Sequence, residues 1–568
     1  MNNSSDLQNN ITFDFLRNEI IGNDFFFETP YGRRLMTYAD YTASGRSLAF
    51  IEQYLLHIQR SYANTHTEDD VTGRTMTNLL HKAEYLIKDA FNANENCYII
   101  ACGTGATGAI SKIQEILGVY IPPAAKTRLK KPIHELVSEQ NLPIIFVGSF
   151  EHHSNDIMWR ETIGKVIEID LNEEGLIDLS DLEKKVSNPE YKDKYKIGSF
   201  SAASNVTGVL APVYDIAKIL HKHGAIACFD FAACAPYVEI NMNKDDESYL
   251  DAVFISPHKF LGGPGSSGIL VFNKQLYNHD IAPTIAAGGT VDYVSSFGYD
   301  FTKDVEAREK PGTPGILQTI KASLAITLKE AIGINNIEEI ERRYIHTVFE
   351  RLSKNPNIEV LGNQDPNNRI AIFSLIIKHS NNGCYIHPKF ATRLLNDLFG
   401  IQSRAGCSCA GPYGHRLLNI DLNLSEKYRR VIQEDIQCIK PGWIRVNFHY
   451  TLTTTDVIFI LEALEFIAEY GYLFINQYIL DIKTGEWKHK EFVDKDISFA
   501  PTIQNVLDMA LKDSFEQIDV NRKELYKEYM SEALIFAKIM QNLSEIKFSR
   551  FTNPRVEELR FFNFVNIE

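Results

Sequence analysis

The sequence has no surplus of positive charge: 58 Lys and Arg against 73 Asp and Glu leave the 568-residue chain at −15. That balance excludes a general binder of nucleic acid or of anionic membranes, which works by neutralising phosphates. Long uncharged apolar runs are missing as well. The most hydrophobic helical stretch, Val457 to Ile475, carries Glu462, Glu465 and Glu469, which suits a packed amphipathic helix rather than a membrane span. The opening MNNSSDLQNN lacks the basic start and apolar core of a secretory signal. Eight cysteines in so long a chain make no disulfide framework, so a reducing, cytoplasmic setting is expected. Internal repeats and low-complexity tracts are also missing.

What is there is the composition of an ordinary soluble globular protein, 44% hydrophobic and 23% charged, in a chain too long for one core. Between about residues 95 and 275, apolar runs rich in strand-forming residues alternate with helical stretches. Cys97–Ala101, Pro143–Val147, Lys196–Phe200, Ala225–Phe229, Ala252–Ile255 and Gly268–Phe272 read as buried strands, and Pro212–His223 and Ala109–Leu117 as helices. This rhythm predicts an α/β domain with a mostly parallel sheet, whose ligands gather beyond the C-terminal strand ends. Residues 121–141 read as a surface insertion, with the basic cluster Lys126–Lys131 on a solvated face. Further on, Leu324–Ala331 and Ile337–Leu352 read as helices separated by Gly333–Asn336. Arg369–Ile377 and Trp443–Phe448 read as strands and Asp456–Ile475 as a helix, a mixture that predicts a smaller α+β domain. Beyond residue 475 come a hairpin signal at Lys483–Gly485 and an amphipathic helix bearing Leu525, Tyr529, Phe536 and Met540.

Several motifs stand just after the predicted strands. Gly103-Thr-Gly-Ala-Thr-Gly108 opens a helix, where glycines and free amides suit a phosphate. The same letters match a dinucleotide fingerprint, but the acidic residue wanted about twenty positions on is replaced by Thr127, Arg128 and Leu129. Lys259, in Ser256-Pro-His-Lys259, follows a buried strand. A lysine there is ion-paired, exposed, or held with a lowered pKa to form a Schiff base. Asp230 ends another strand, where a carboxylate can pair with a pyridinium nitrogen. His152 and His153 read equally well as a structural pair, and His66 as a surface-loop residue. In Arg404-Ala-Gly-Cys-Ser-Cys409 the two cysteines fit four readings. A zinc site has only His415 nearby and the wrong spacing. A disulfide closes a very tight ring. Inert buried thiols are common, and an exposed thiolate beside an arginine is a nucleophile.

Taken together these motifs carry a resemblance. From Tyr38-Ala-Asp-Tyr-Thr-Ala-Ser44 to about Tyr450 the chain resembles the pyridoxal-phosphate-dependent class V aminotransferase superfamily, within it the cysteine desulfurase and selenocysteine lyase branch. The resemblance implies fold type I: an arm (1–35), a large α/β domain (36–320), a small α+β domain (321–475) and a C-terminal extension (476–568) outside the similarity. It implies that Lys259 attaches the pyridoxal 5′-phosphate, that Ser256, His258, Ala106 and Thr107 hold its phosphate, and that Asn205 and Asp230 hold its ring, on which His152 stacks. Gly288-Gly-Thr290 matches a segment that a second subunit lends, implying a homodimer. Ala233 stands where the family often has Gln or His, so one cofactor contact is lost. Arg404, Arg445 and His66 match substrate positions. Counting from Arg404, Cys409 falls where the family places its sulfur acceptor; the same loop is similar to that of molybdenum-cofactor sulfurases. The implied reaction turns L-cysteine into L-alanine and leaves a persulfide on Cys409, with Lys259, Cys409 and His152 catalytic, no metal, and a sulfur-accepting protein as a partner. The alternative within the family is an aminotransferase or β-lyase of another amino acid with Cys409 idle; outside it, a non-catalytic scaffold.

Overall fold

The computed structural model describes residues 11–65, 67, 69–93, 95–129, 137–138, 141–379, 383–494, 501–505, 519–543 and 545–568. His66, Lys130 and Lys131 lie outside them, as does part of the 121–141 stretch. Among the described residues the largest sheet has seven strands: β1 (Cys97–Cys102), β2 (Ile144–Val147), β3 (Lys165–Glu168), β4 (Lys196–Ser201), β5 (Ala225–Asp230), β6 (Ala252–Ile255) and β7 (Gly268–Asn273). Their spatial order is β1-β7-β6-β5-β4-β2-β3. All run parallel except β7, which is antiparallel to both neighbours. Burial on both faces explains why β2, β4 and β6 are buried throughout and read as continuous apolar runs rather than alternating ones.

The helices run longer or shorter than expected for local reasons. Helix α1 spans Gly105–Ile116, not Ala109–Leu117, because Gly105 takes a positive φ of 55° and turns the strand directly into the helix. The helix α2 (His153–Arg160) follows β2, and α3 (Val213–Lys222) follows β4. Helices α4 (Ile316–Ile332) and α5 (Ile334–Leu352) are separated by Gly333 alone, where a four-residue spacer was expected. Gly333, at φ 89°, makes the turn.

A second sheet, ordered β8-β9-β11-β10, is built from β8 (Ile358–Val360), β9 (Ile372–Ile377), β10 (Arg404–Gly406) and β11 (Trp443–Asn447). Strand β9 starts three residues later than the expected Arg369, whose guanidinium turns inward to the carbonyls of Thr207 and Ile372. Helix α6 (Pro388–Phe399) lies between these strands in sequence. Helix α7 runs Thr454–Tyr470 rather than Asp456–Ile475. It starts early because Thr453 and Asp456 form a capping box, and it tightens into a 3₁₀ turn over Gly471–Gln477.

The C-terminal residues are built into this body. The expected hairpin pairs Tyr478–Leu480 with Trp487–His489, and the expected helix is α8 (Arg522–Leu543). Tyr526 of α8 stacks on Phe459 of α7 with centroids 3.8 Å apart, and its hydroxyl donates to Asp456 at 2.7 Å. The Tyr529 hydroxyl accepts from the Leu35 amide at 3.0 Å. The helix therefore ties the amino-terminal arm to α7. Tyr526→Ala is expected to lower unfolding free energy by about 3 kcal/mol and Tyr526→Phe by about 1 kcal/mol, read by denaturant titration.

Candidate active site

At the C-terminal edge of the large sheet the loops after β1, β2, β4, β5 and β6 enclose a cavity of about 240 Å³. It brings together Ala106, Thr107, His152, Asn205, Asp230, Ser256, His258, Lys259, Arg404, Cys409 and Arg445. Eleven of the thirteen residues singled out from the sequence thus share one space. Thr290 does not line it. It is fully buried, with Oγ1 donating to the Ala287 carbonyl at 2.7 Å. His66 falls outside the described residues.

One wall is shaped for an anion. The Ser256 hydroxyl accepts from the Ala106 amide at 2.9 Å, and a Cβ on Gly105 would come within 2.7 Å of that hydroxyl. Thr107 and Ser154 hydroxyls meet at 2.7 Å, joining the amino ends of α1 and α2. Two helix starts and three hydroxyls make an electropositive cradle with no formal charge. His258 beside it is held neutral, its pKa pushed down to about 4 by burial and by Lys259.

Along the opposite wall are the ionisable groups. Lys259 follows β6 in a tight 3₁₀ turn. Enclosure pushes its ammonium down to about 8, against the pull of Asp230. Asp230, the last residue of β5, is buried, which raises its pKa, while the Ala232 amide at 2.9 Å and Lys259 pull it back. His152 caps α2: its Nδ1 accepts the Ser154 amide at 3.1 Å, and burial takes its pKa down to about 4, so the neutral ring carries its proton on Nε2.

Behind Asp230 lies a carboxylate that sequence reasoning passed over. Glu151 is fully enclosed and accepts from the Gly148 amide (3.1 Å), Asn155 Nδ2 (2.6 Å), and the Ser201 amide (2.8 Å) and hydroxyl (2.6 Å). Burial raises its pKa to about 7, with Asp230 adding to the rise. Ser201 is the register partner of Asp230, so this network fixes the strand end that carries the acid. Its only trace in the sequence is its place beside His152 in Glu151-His-His-Ser-Asn155.

The cysteine loop closes the cavity. Ser408 and Cys409 both have left-handed backbones, φ 50° and 57°, a conformation that non-glycine residues keep only when held. Three hydrogen bonds hold it: Asn205 Nδ2 to the Ser408 carbonyl (2.7 Å), the His153 amide to the Cys409 carbonyl (2.8 Å), and the Gly411 amide to His153 Nε2 (3.0 Å). Cys409 is exposed and faces the cavity, whereas Cys407 packs against the core. Both are free thiols. Arg445 is buried; it donates to the Asn205 carbonyl at 3.1 Å and to Asp40 at 2.8 Å. Its Nε and the Asn205 Oδ1 are buried with no partner among the described residues, the sign of a site built for a ligand.

The chain is 33% identical over 303 residues to a probable cysteine desulfurase of Halalkalibacterium halodurans, covering 52% of this chain and 69% of that protein. It is 26% identical over 404 residues to a probable cysteine desulfurase of Staphylococcus aureus, covering 70% and 88%. A solved cysteine desulfurase of Thermococcus onnurineus superposes with a TM-score of 0.63 at 21% identity, over 80% of this chain and 98% of that one. One from Escherichia coli gives 0.60 at 21% over the same shares. These likenesses establish the fold as that of the solved cysteine desulfurases, pyridoxal-phosphate fold type I. The model of the aminotransferase class-V family matches residues 134–460, more than half of the sequence, and the chain belongs to that family of pyridoxal-phosphate-dependent enzymes.

Proposed function

We propose that the chain is a cysteine desulfurase that converts L-cysteine to L-alanine and carries the sulfur away as a persulfide on Cys409. The observation that carries this reading is the meeting of Cys409, Lys259, Asp230 and the unpartnered Nε of Arg445 around one cavity. The relatives named cysteine desulfurases support it. The residues present fit pyridoxal phosphate: the neutral cradle of Ala106, Thr107, Ser256 and His258 suits its phosphate, and the orphaned Asn205 and buried Asp230 suit its ring. When bound, the cofactor supplies an electron sink for bond breaking at the substrate Cα.

The chain's own groups do the rest. Asp230 would supply negative charge to the ring nitrogen of the cofactor, and the neutral His152 would lie against its ring. Arg445 and Arg404 orient the substrate carboxylate. Lys259 Nζ takes the Cα proton and later restores it, and the proton shed by the Cys409 thiol completes the methyl group of the fragment. The Cys409 thiolate attacks the substrate sulfur; the S–S bond forms as the Cβ–S bond breaks, and that bond's electron pair stays with the fragment that leaves as alanine. The reading includes the division into an arm (1–35), large (36–320) and small (321–475) domains and an extension (476–568), a cytoplasmic location and a sulfur-accepting protein. It also includes a homodimer. The hairpin after Thr290 exposes Tyr293, Val294, Phe297 and Tyr299, with Phe297 99% exposed, an apolar tip suited to a second copy.

The test is to load the chain with pyridoxal phosphate and add L-cysteine. A visible cofactor–lysine band and release of alanine are expected; a band without alanine would favour the aminotransferase or β-lyase alternative. The pH dependence of loading follows from Lys259. Only a neutral amine attacks the aldehyde, and the folded pKa of about 8 lies below the ordinary lysine value of 10.5. Band formation on the unloaded chain should therefore quicken as pH rises to about 8 and level off above it, rather than keep climbing as for an exposed lysine.

A further inference from the structure

Two cations stand directly opposite each other beside the cavity. Arg404 of β10 and Arg445 of β11 are register partners, an arrangement that is destabilising when nothing separates the charges. Asp40 separates them. Its Oδ2 accepts from Arg404 Nε at 3.0 Å and its Oδ1 from Arg445 Nη2 at 2.8 Å.

The carboxylate is pinned from its own backbone. The Ala39 amide donates to the Gln402 carbonyl and the Asn447 amide to the Ala39 carbonyl, both at 2.9 Å, and the Tyr38 hydroxyl donates to the Asp40 carbonyl at 3.2 Å. One of the two guanidinium charges is thus matched by the protein's own acid, as Lys259 is by Asp230. What remains for a ligand is one net positive charge, with the Nε of Arg445 buried and unpartnered. Arg404, with its side chain 51% exposed, lies where water weakens its pull.

We propose that Asp40 determines specificity: by matching one guanidinium it leaves the cavity able to take a single carboxylate, and so selects monocarboxylate α-amino acids over dicarboxylate ones. This rests on the amino-acid reading above and narrows it. A second carboxylate on the substrate would find no second unmatched guanidinium charge, a discrimination by charge balance that needs no steric block.

The test is calorimetric titration of L-alanine and of L-aspartate into the cofactor-loaded protein and its variants. Wild type should bind L-alanine at least about tenfold more tightly than L-aspartate. In Asp40→Asn that ratio should shrink about tenfold or reverse, and in Asp40→Glu it should stay near wild type. Arg404→Gln, which leaves Asp40 with one cation, should widen it. Damage to packing weakens both ligands together and leaves the ratio alone. An unchanged ratio in Asp40→Asn, or in Arg404→Gln should the first variant not fold, overturns the assignment. The ratio needs no sulfur chemistry, so failure to form alanine from cysteine would sink the desulfurase reading while leaving Asp40 to be judged on binding.

Discussion

Lys259→Ala is expected to abolish the visible cofactor band and to lower alanine formation from L-cysteine by about 10³-fold or more, equivalent to about 4 kcal/mol of barrier. The size follows from two losses at one atom. Nζ is the group that attaches the cofactor, and it is also the base for the Cα proton. Its pKa of about 8 is what lets one amine do both near neutral pH. The variant should still fold, since Lys259 contributes a charge that burial disfavours rather than packing; truncating it leaves Asp230 without its opposing charge, and its carboxyl should titrate higher still. Alanine formation within tenfold of wild type would contradict the assignment.

Cys409→Ala is expected to do something different. The cofactor band and its response to L-cysteine should persist, because the anion cradle, Asp230 and Lys259 are untouched. Alanine formation should fall by about 10³-fold and no protein-bound sulfur should accumulate. Cys407→Ala is the control, since Cys407 faces the core and not the cavity; it should keep turnover within about threefold of wild type. If Cys409→Ala retains full turnover, the thiol is idle and the family's other chemistries take precedence.

Much of this was readable before the structure because strand ends carry chemistry in a parallel sheet. Six buried runs placed Asp230, Ser256 and Lys259 within reach of one another, and the glycine-rich turn put Ala106 and Thr107 beside them. Strand direction was not readable: β7 is as uniformly apolar as its neighbours, and an apolar run carries no sign of which way it points. Strand β3 also escaped, its residues being only partly buried and its run Lys165–Glu168 short and charged at both ends. Asp40 and Glu151 escaped for another reason. An acid's role comes from partners far off in sequence, Arg404 and Arg445 for one and Ser201 for the other, and no spacing announces such a pairing. The unusual backbone of Ser408 and Cys409 was equally hidden, since it is imposed by Asn205 and His153, which follow strands β4 and β2 of the large sheet.

Mass spectrometry of the Cys409 peptide after a single turnover with L-cysteine, in the absence of thiol reductant, separates a working thiol from an idle one. One added sulfur is expected on Cys409, in amount equal to the alanine released and lost on treatment with reductant. Alanine released with Cys409 unmodified, or sulfur carried on Cys407 alone, would contradict Cys409 as the sulfur acceptor.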